Sequence, residues 1–422
     1  MAVTDPILSV EGLQTSFHTD KETIRAVDDV SFAVEPGRTL GIVGESGSGK
    51  SVTARSVMGL VDSPGVVHED SRIRYHEPAF VQRMARRYPD RTRTRARTSS
   101  GPDPDAESNE SDGFVTLEAF EGSGTDVVVD RGFVDLVAAP EAVVRAVRGR
   151  EIAMIFQDAS SSLNPLYTVG NQLEELLRTH RGLRGQEATE TAAALLESVG
   201  IPDPHRRLSE YPHQFSGGMQ QRAIIALALA CEPSVLICDE PTTALDVTIQ
   251  AQILELLAEI QADRDVAIVF ITHDMGVIAQ TADRVSVMYA GEIVETAPVD
   301  RLFDRPGHPY TEGLLESIPG ITRRGNRLAT IDGRVPTPTG DATACRFAPR
   351  CPKAFEECHA VHPSLVSVGD DGDHRAACLL QPTDEDEAGR LEYHGGESDG
   401  EVGEDRDGDS SEHHHDEGGP ER

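Results

Sequence analysis

Residues Gly44–Ser51 read Gly-Glu-Ser-Gly-Ser-Gly-Lys-Ser. Two glycines five positions apart lead into a lysine and a hydroxyl residue, the spacing of a loop that wraps phosphate. Gly44, Glu45, Ser46, Gly47, Ser48 and Gly49 can turn backbone N–H groups toward an anion. A helix beginning there adds its dipole. Lysine occurs at three positions only, Lys21, Lys50 and Lys353, and arginine carries the rest of the positive charge. Lys50 is therefore read as a compact point charge for β- and γ-phosphates. Ser51 offers a hydroxyl to Mg²⁺.

Three further groups could complete that chemistry. The apolar run Val235–Glu240 ends in two carboxylates. Asp239 would hold Mg²⁺, directly or through water, and Glu240 would orient or deprotonate an attacking water. The stretch Phe215–Arg222 places Ser216, Gly217 and Gly218 ahead of a helix expected near Met219, a second anion cradle. One nucleotide does not need two cradles, so the second makes sense if it serves the nucleotide of another subunit. Gln157 and His273 each follow an apolar strand, and either alone would be unremarkable.

These residues need elements to hold them. Thr39–Val43 reads as a short buried strand before the glycine loop, and Ser51–Leu60 as the helix after it. Residues 7–34 alternate apolar and polar, as paired antiparallel strands do, with a turn near Thr19–Glu22. Glu151–Asp158 reads as a strand, and Asn171–His180 and Glu187–Val199 have helical spacing. The runs around Val235 and Val266 are continuous and apolar, as in buried parallel strands. Strands alternating with helices imply an α/β core. Residues 74–125 are arginine-rich, then rich in Ser, Pro and acid, and are expected to be a disordered insertion. Residues 382–422 are expected to be an acidic disordered tail.

The 422 residues carry 72 acids against 39 bases, a formal charge of −33. That balance argues against nucleic acid as a partner. With so few lysines it also suggests a high-salt cytoplasm. No run is long enough to span a bilayer, and no basic-then-apolar leader is visible, so a soluble cytosolic protein is expected.

In this order, the motifs resemble an ABC-transporter ATPase subunit. Gly44–Ser51 corresponds to Walker A, Gln157 to the Q-loop and Phe215–Gln220 to the signature. Val235–Glu240 corresponds to Walker B, Ala244–Asp246 to the D-loop and His273 to the switch histidine. Phe215 and Met219 replace the signature's usual Leu and Gln, while the serine and both glycines are kept. The resemblance implies a P-loop NTPase core with an N-terminal antiparallel β-subdomain and a helical signature subdomain. It places the ATPase domain at 1–73 and 126–320. ATP would be bound through Lys50, Ser51, Gln157 and Asp239, with Ser51, Gln157 and Asp239 around Mg²⁺. Ser216–Gly218 of a second ATPase subunit, identical or related, would cap it. Glu240 and His273 would support water attack, and an aromatic such as Phe17 would stack on adenine.

The stretches from Ile155, Phe303 and Cys345 look like those of oligopeptide/dipeptide importer ATPases. That resemblance implies two integral-membrane permeases, an extracellular substrate-binding protein and a location on the cytoplasmic side of the membrane. Some relatives import nickel or sugars, and an ABC ATPase acting on nucleic acid is a more distant alternative. Residues 321–381 form a small C-terminal region with Cys345, Cys351, Cys358 and Cys378, which could hold a metal tetrahedrally. Their spacing lacks the C-x-x-C pair of common zinc ribbons. The resemblance implies an iron–sulfur cluster ahead of zinc. Four unliganded reduced thiols are the alternative.

Overall fold

Two sheets position the motifs. In the computed structural model, residues 5–95, 113–122, 126–157, 162–243, 245–318, 331–369 and 372–381 are described. The acidic tail from Pro382 and Ala244 of the D-loop stretch lie outside them.

The first sheet begins with β1 (Leu8–His18) and β2 (Thr23–Val34), paired antiparallel as expected. Their turn closes through Thr19 N–H to Glu22 O at 3.0 Å. The second sheet holds β3 (Thr39–Val43), which is fully buried and leads through the glycine loop into α1 (Lys50–Val57). β4 (Gly65–Val67) and β5 (Arg72–Tyr75) return to β1.

The expected disordered insertion is corrected for the part of 74–125 that is described. After β5 come α2 (Pro78–Arg87), β6 (Thr92–Thr94) and β7 (Val115–Glu121), and β7 pairs antiparallel with β8 (Val128–Asp135). The strands extend the first sheet, in the order β2-β1-β5-β8-β7-β6. The arginines conceal an amphipathic helix. Phe80, Val81, Met84 and Ala85 are buried on one face, and Tyr75 meets Phe80 edge-on at 5.5 Å. Arg83 lies over the Phe80 ring and reaches Glu151 at 2.6 Å, so charged heads stay near water while their stems cover apolar surface.

α3 (Glu141–Val147) and β9 (Ile152–Ile155) follow. A helical layer comes next: α4 (Val169–Leu176), α5 (Gln186–Ser198) and α6 (Gly217–Leu229). Then β10 (Val235–Asp239), α7 (Val247–Arg264), β11 (Ala267–Thr272), α8 (Met275–Thr281) and β12 (Arg284–Tyr289) complete the parallel part of the second sheet. Its order is β14 (Val366–Ser367), β15 (Arg375–Ala376), β13 (Glu292–Pro298), β12, β3, β11, β10 and β9. β3 pairs parallel with both β11 and β12, and β10 lies parallel between β9 and β11. The glycine loop after β3, the carboxylates after β10 and His273 after β11 thus emerge at one sheet edge. That edge is where open parallel sheets bind ligands.

β13 (Glu292–Pro298), α9 (Val299–Asp304) and α10 (Pro309–Glu316) lead to the C-terminal region. There β14 (Val366–Ser367) and β15 (Arg375–Ala376) add to β13. Fully buried Glu295 fastens this addition. It accepts from Gly307 N, His308 N and His374 Nε2 at 2.6, 3.0 and 2.7 Å. A buried carboxylate needs several such partners to offset lost hydration. No helix among the described residues is long and apolar enough to cross a membrane.

Candidate active site

The loop geometry explains its glycines. A Cβ on Gly44 would lie 2.1 Å from Met288 O. Gly49 has φ +106°, and a Cβ there would lie 2.3 Å from Ala26 O. Backbone therefore packs where any side chain would collide. Lys50 is buried, with Nζ donating to Gly44 O and Glu45 O, both at 2.8 Å. Burial lowers its pKa, and Glu240, Asp239 and Glu45 work against that shift. A phosphate reaching this loop would meet an ammonium with little competing water.

The expected partners converge here. Ser51 Oγ donates to Asp239 Oδ1 at 2.9 Å. This joins a hydroxyl and a carboxylate, hard oxygen donors of the kind Mg²⁺ takes, so the residues fit the ion. Burial raises the pKa of Asp239, and the Ser51 hydrogen bond opposes that. Glu240 Oε2 accepts from Gln157 Nε2 at 3.0 Å and from Thr243 Oγ1 at 2.9 Å. Its Oε1 stands 3.3 Å from His273 Nδ1. Burial pushes the Glu240 pKa up, but the hydrogen bonds from Thr243 and His273, with the charges of His273 and Lys50, more than offset it. The net shift is downward, which keeps the group an ionised acceptor. Glu240 also has φ +48°, a strained conformation for a side-chain-bearing residue. Its N–H donates to Ile271 O at 2.9 Å, which helps to hold it there.

Two expected residues stand apart from this cluster. Ser216 caps α6, its Oγ accepting from Met219 N, and the helix begins at Gly217 rather than near Met219. Ser216 and Gly217 are exposed, Gly218 is half-buried, and none of the three is among the described residues that line the glycine-loop cleft. Phe17 stands opposite Ile24 across β1 and β2, with its ring against Gly65. Ile24 and Ala26 line the cleft, whereas Phe17 does not.

Other partners lay beyond the sequence motifs. Arg350 grips the Glu45 carboxylate with two hydrogen bonds of 3.0 Å each, and Tyr310 Oη accepts from Glu45 N at 2.8 Å. Thr243 was also missed, because a threonine near an acid has no distinctive pattern.

Cys345, Cys351, Cys358 and Cys378 line one small cavity beside His308 and Phe347. However, among the described residues no three of His, Cys, Asp and Glu are arranged to hold a metal ion. Burial, followed by smaller effects, raises the thiol pKa of Cys345 and Cys351 and pushes that of Cys378 up to about 12.

The profile of the ABC transporter family matches residues 27–101 and 134–243. That of the oligopeptide/dipeptide transporter C-terminal region matches 294–358. A Brucella abortus protein named for peptide import and ATP binding is 44% identical over 380 residues, covering 89% of this chain and 97% of its own. A Brucella suis protein named in the same way is 43% identical over 366 residues, covering 87% and 93%. A solved dimeric bacterial ABC transporter cassette has 22% identity and a TM-score of 0.49 over 69% of this chain and 98% of its own. The extent of identity to the Brucella proteins, and the motifs gathered around Lys50, show that the chain belongs to the ABC transporter ATP-binding proteins of the oligopeptide/dipeptide importer type.

Proposed function

We propose that this chain is the ATP-binding and ATP-hydrolysing subunit of an importer, and that it energises uptake of di- and oligopeptides through partner permeases. The convergence of Lys50, Ser51, Asp239, Gln157, Glu240 and His273 at one sheet edge carries this reading. The peptide-import names of its relatives supply the cargo class. Nickel or sugars remain the alternative cargoes, because nothing around Lys50 would touch the cargo. The charge of −33 speaks against a nucleic acid partner.

Lys50 would exchange its bonds to Gly44 O and Glu45 O for phosphate oxygens of ATP. The loop N–H groups would cradle the same oxygens. Mg²⁺ held by Ser51 and Asp239, with Gln157 nearby, would neutralise charge on the phosphates. Ionised Glu240, fixed by Thr243 and Gln157, would accept a hydrogen bond from the attacking water and align it, with His273 beside it. Ser216–Gly218, with Ser216 and Gly217 exposed, would cap the nucleotide of a second ATPase subunit.

A groove of about 400 Å³ beside the Gln157 strand end is lined by Phe156, Tyr167, His180 and Ile224, among others. Tyr167 of this lining is exposed, as is its chain neighbour Leu166, a suitable dock for a permease segment at the cytoplasmic face of the membrane. An extracellular binding protein would complete the system. Reconstitution with partner permeases tests the function. A peptide-loaded binding protein should stimulate ATP hydrolysis, and stimulation by nickel- or sugar-loaded protein instead would reassign the cargo.

Two finer readings accompany this one. The acid excess supports a protein adapted to molar salt. The shared cavity of the four cysteines supports an iron–sulfur or zinc site formed when the metal arrives. Iron, sulfide and zinc analysis of protein purified without oxygen decides that point. Folded protein lacking all three would leave the thiols as packing.

A further inference from the structure

The C-terminal region reaches back into the ATP cleft. The cleft of about 620 Å³ above the glycine loop is bounded on one side by Glu45–Gly47 and Gly49–Val52, and by Ile24 and Ala26 of β2. A segment nearly 300 residues later, Gly333–Pro338, lines the same cleft. We propose that this segment is the nucleoside-facing wall of the chain's own ATP site, with Val335, Pro336 and Pro338 joining Ile24 and Ala26 in an apolar lining, and Arg334 supplying a positive charge to the bound triphosphate. This rests on the ATP-site reading above.

Three anchors hold the segment over the cleft. At one end, Arg350 binds the Glu45 carboxylate with two hydrogen bonds. It also donates from Nε to Asp332 O at 2.8 Å and from Nη2 to Ile331 O at 3.2 Å. The Arg350 side chain is only 6% exposed, so one guanidinium ties the glycine loop to the start of the wall in a setting that water screens poorly. At the other end, Arg25 N of β2 donates to Pro338 O at 2.8 Å. Just beyond it, the Arg25 guanidinium meets Asp341 at 2.6 Å. The wall thus spans from the phosphate loop to the strand beneath the nucleoside.

Its composition suits a nucleoside. Prolines present flat apolar surface at little entropic cost on binding, because their backbone is already restricted. Ile24 and Ala26 of β2 add to the apolar lining of the cleft. Arg334 is exposed and lies next to Gly333, which packs against the Arg350 side chain. A guanidinium here can pair with phosphate oxygens without having to leave a buried site. Phe17 does not line the cleft, so the apolar contact to the nucleoside falls to the wall and β2.

The test measures binding of ATP, ADP and inorganic tripolyphosphate to the full chain by calorimetry in molar KCl. The Pro336→Ser/Pro338→Ser variant should bind ATP and ADP about tenfold more weakly and tripolyphosphate as the wild type does. Arg334→Ala should weaken ATP and tripolyphosphate alike by roughly fivefold, with Arg334→Lys recovering part of the loss. Arg334 is exposed, so that variant should keep the wild-type thermal transition. Unchanged ADP affinity in the proline variant, or an equal loss for tripolyphosphate, would overturn the wall. Wild-type affinity of Arg334→Ala for ATP would overturn the role of Arg334. Lys50→Ala distinguishes the two levels of the argument: if it binds ATP as the wild type does, the glycine-loop site itself is wrong and the wall falls with it.

Discussion

Phe80→Ala measures whether the arginine-rich segment after β5 belongs to the folded core. Phe80 is 1% exposed, packs edge-on against the buried Tyr75, and lies beneath the Arg83 guanidinium. Removing a buried phenylalanine ring costs about 3–5 kcal/mol through lost transfer energy and the cavity left behind. The edge-on pair contributes about 0.5–1.5 kcal/mol of that class of effect, so a loss of about 4 kcal/mol is expected. That is roughly a thousandfold in the folding equilibrium. In urea, with a slope of about 2–3 kcal/mol per molar, the midpoint should fall by about 1.3–2 M. Circular dichroism in molar KCl reads it. Phe120→Ala serves as the control, since Phe120 lies in the same segment but is 37% exposed, and should cost no more than about 1 kcal/mol. Equal, small losses in both variants would refute the reasoning and return the segment to a solvated insertion.

Glu240→Gln should keep the hydrogen-bonding shape beside Gln157 and Thr243, bind ATP, and lose at least about a hundredfold in steady-state hydrolysis, a typical general-base contribution. Lys50→Ala should lose ATP binding itself, and fluorescent-nucleotide titration separates the two. His76 has its pKa lowered to about 4, chiefly by burial, and its Nε2 lies 2.9 Å from Ser9 Oγ. Its stabilising contribution is complete above the unfolded value of about 6.5 and is lost as pH falls toward 4. His76→Gln should therefore flatten the decline in melting temperature across that window, and an unchanged decline would refute it. Lowering KCl from about 1 M to 0.1 M lengthens the Debye length from about 3 to 10 Å and should lower the melting temperature. Equal stability at both concentrations would refute the high-salt reading.

The short-range chemistry was legible in the sequence. Thr39–Val43, the glycine loop and Lys50 occupy the strand–loop–helix arrangement that their spacing predicts, because glycine freedom and apolar runs are local properties. The carboxylate pair at the end of β10 was equally readable. The helix in the arginine-rich stretch was not. Its four buried residues are diluted by charge, and only Tyr75 and the neighbouring strands reveal which face is apolar. The tertiary structure alone decided that Glu240, Gln157, Thr243 and His273 meet, since β9, β10 and β11 must first lie side by side. It alone brought Arg350 to Glu45 across 305 positions, and Gly333–Pro338 to the cleft of Lys50. Spacing within a motif records what neighbouring residues can do. Contacts across hundreds of residues depend on how strands order and sheets pack, and no local pattern encodes them.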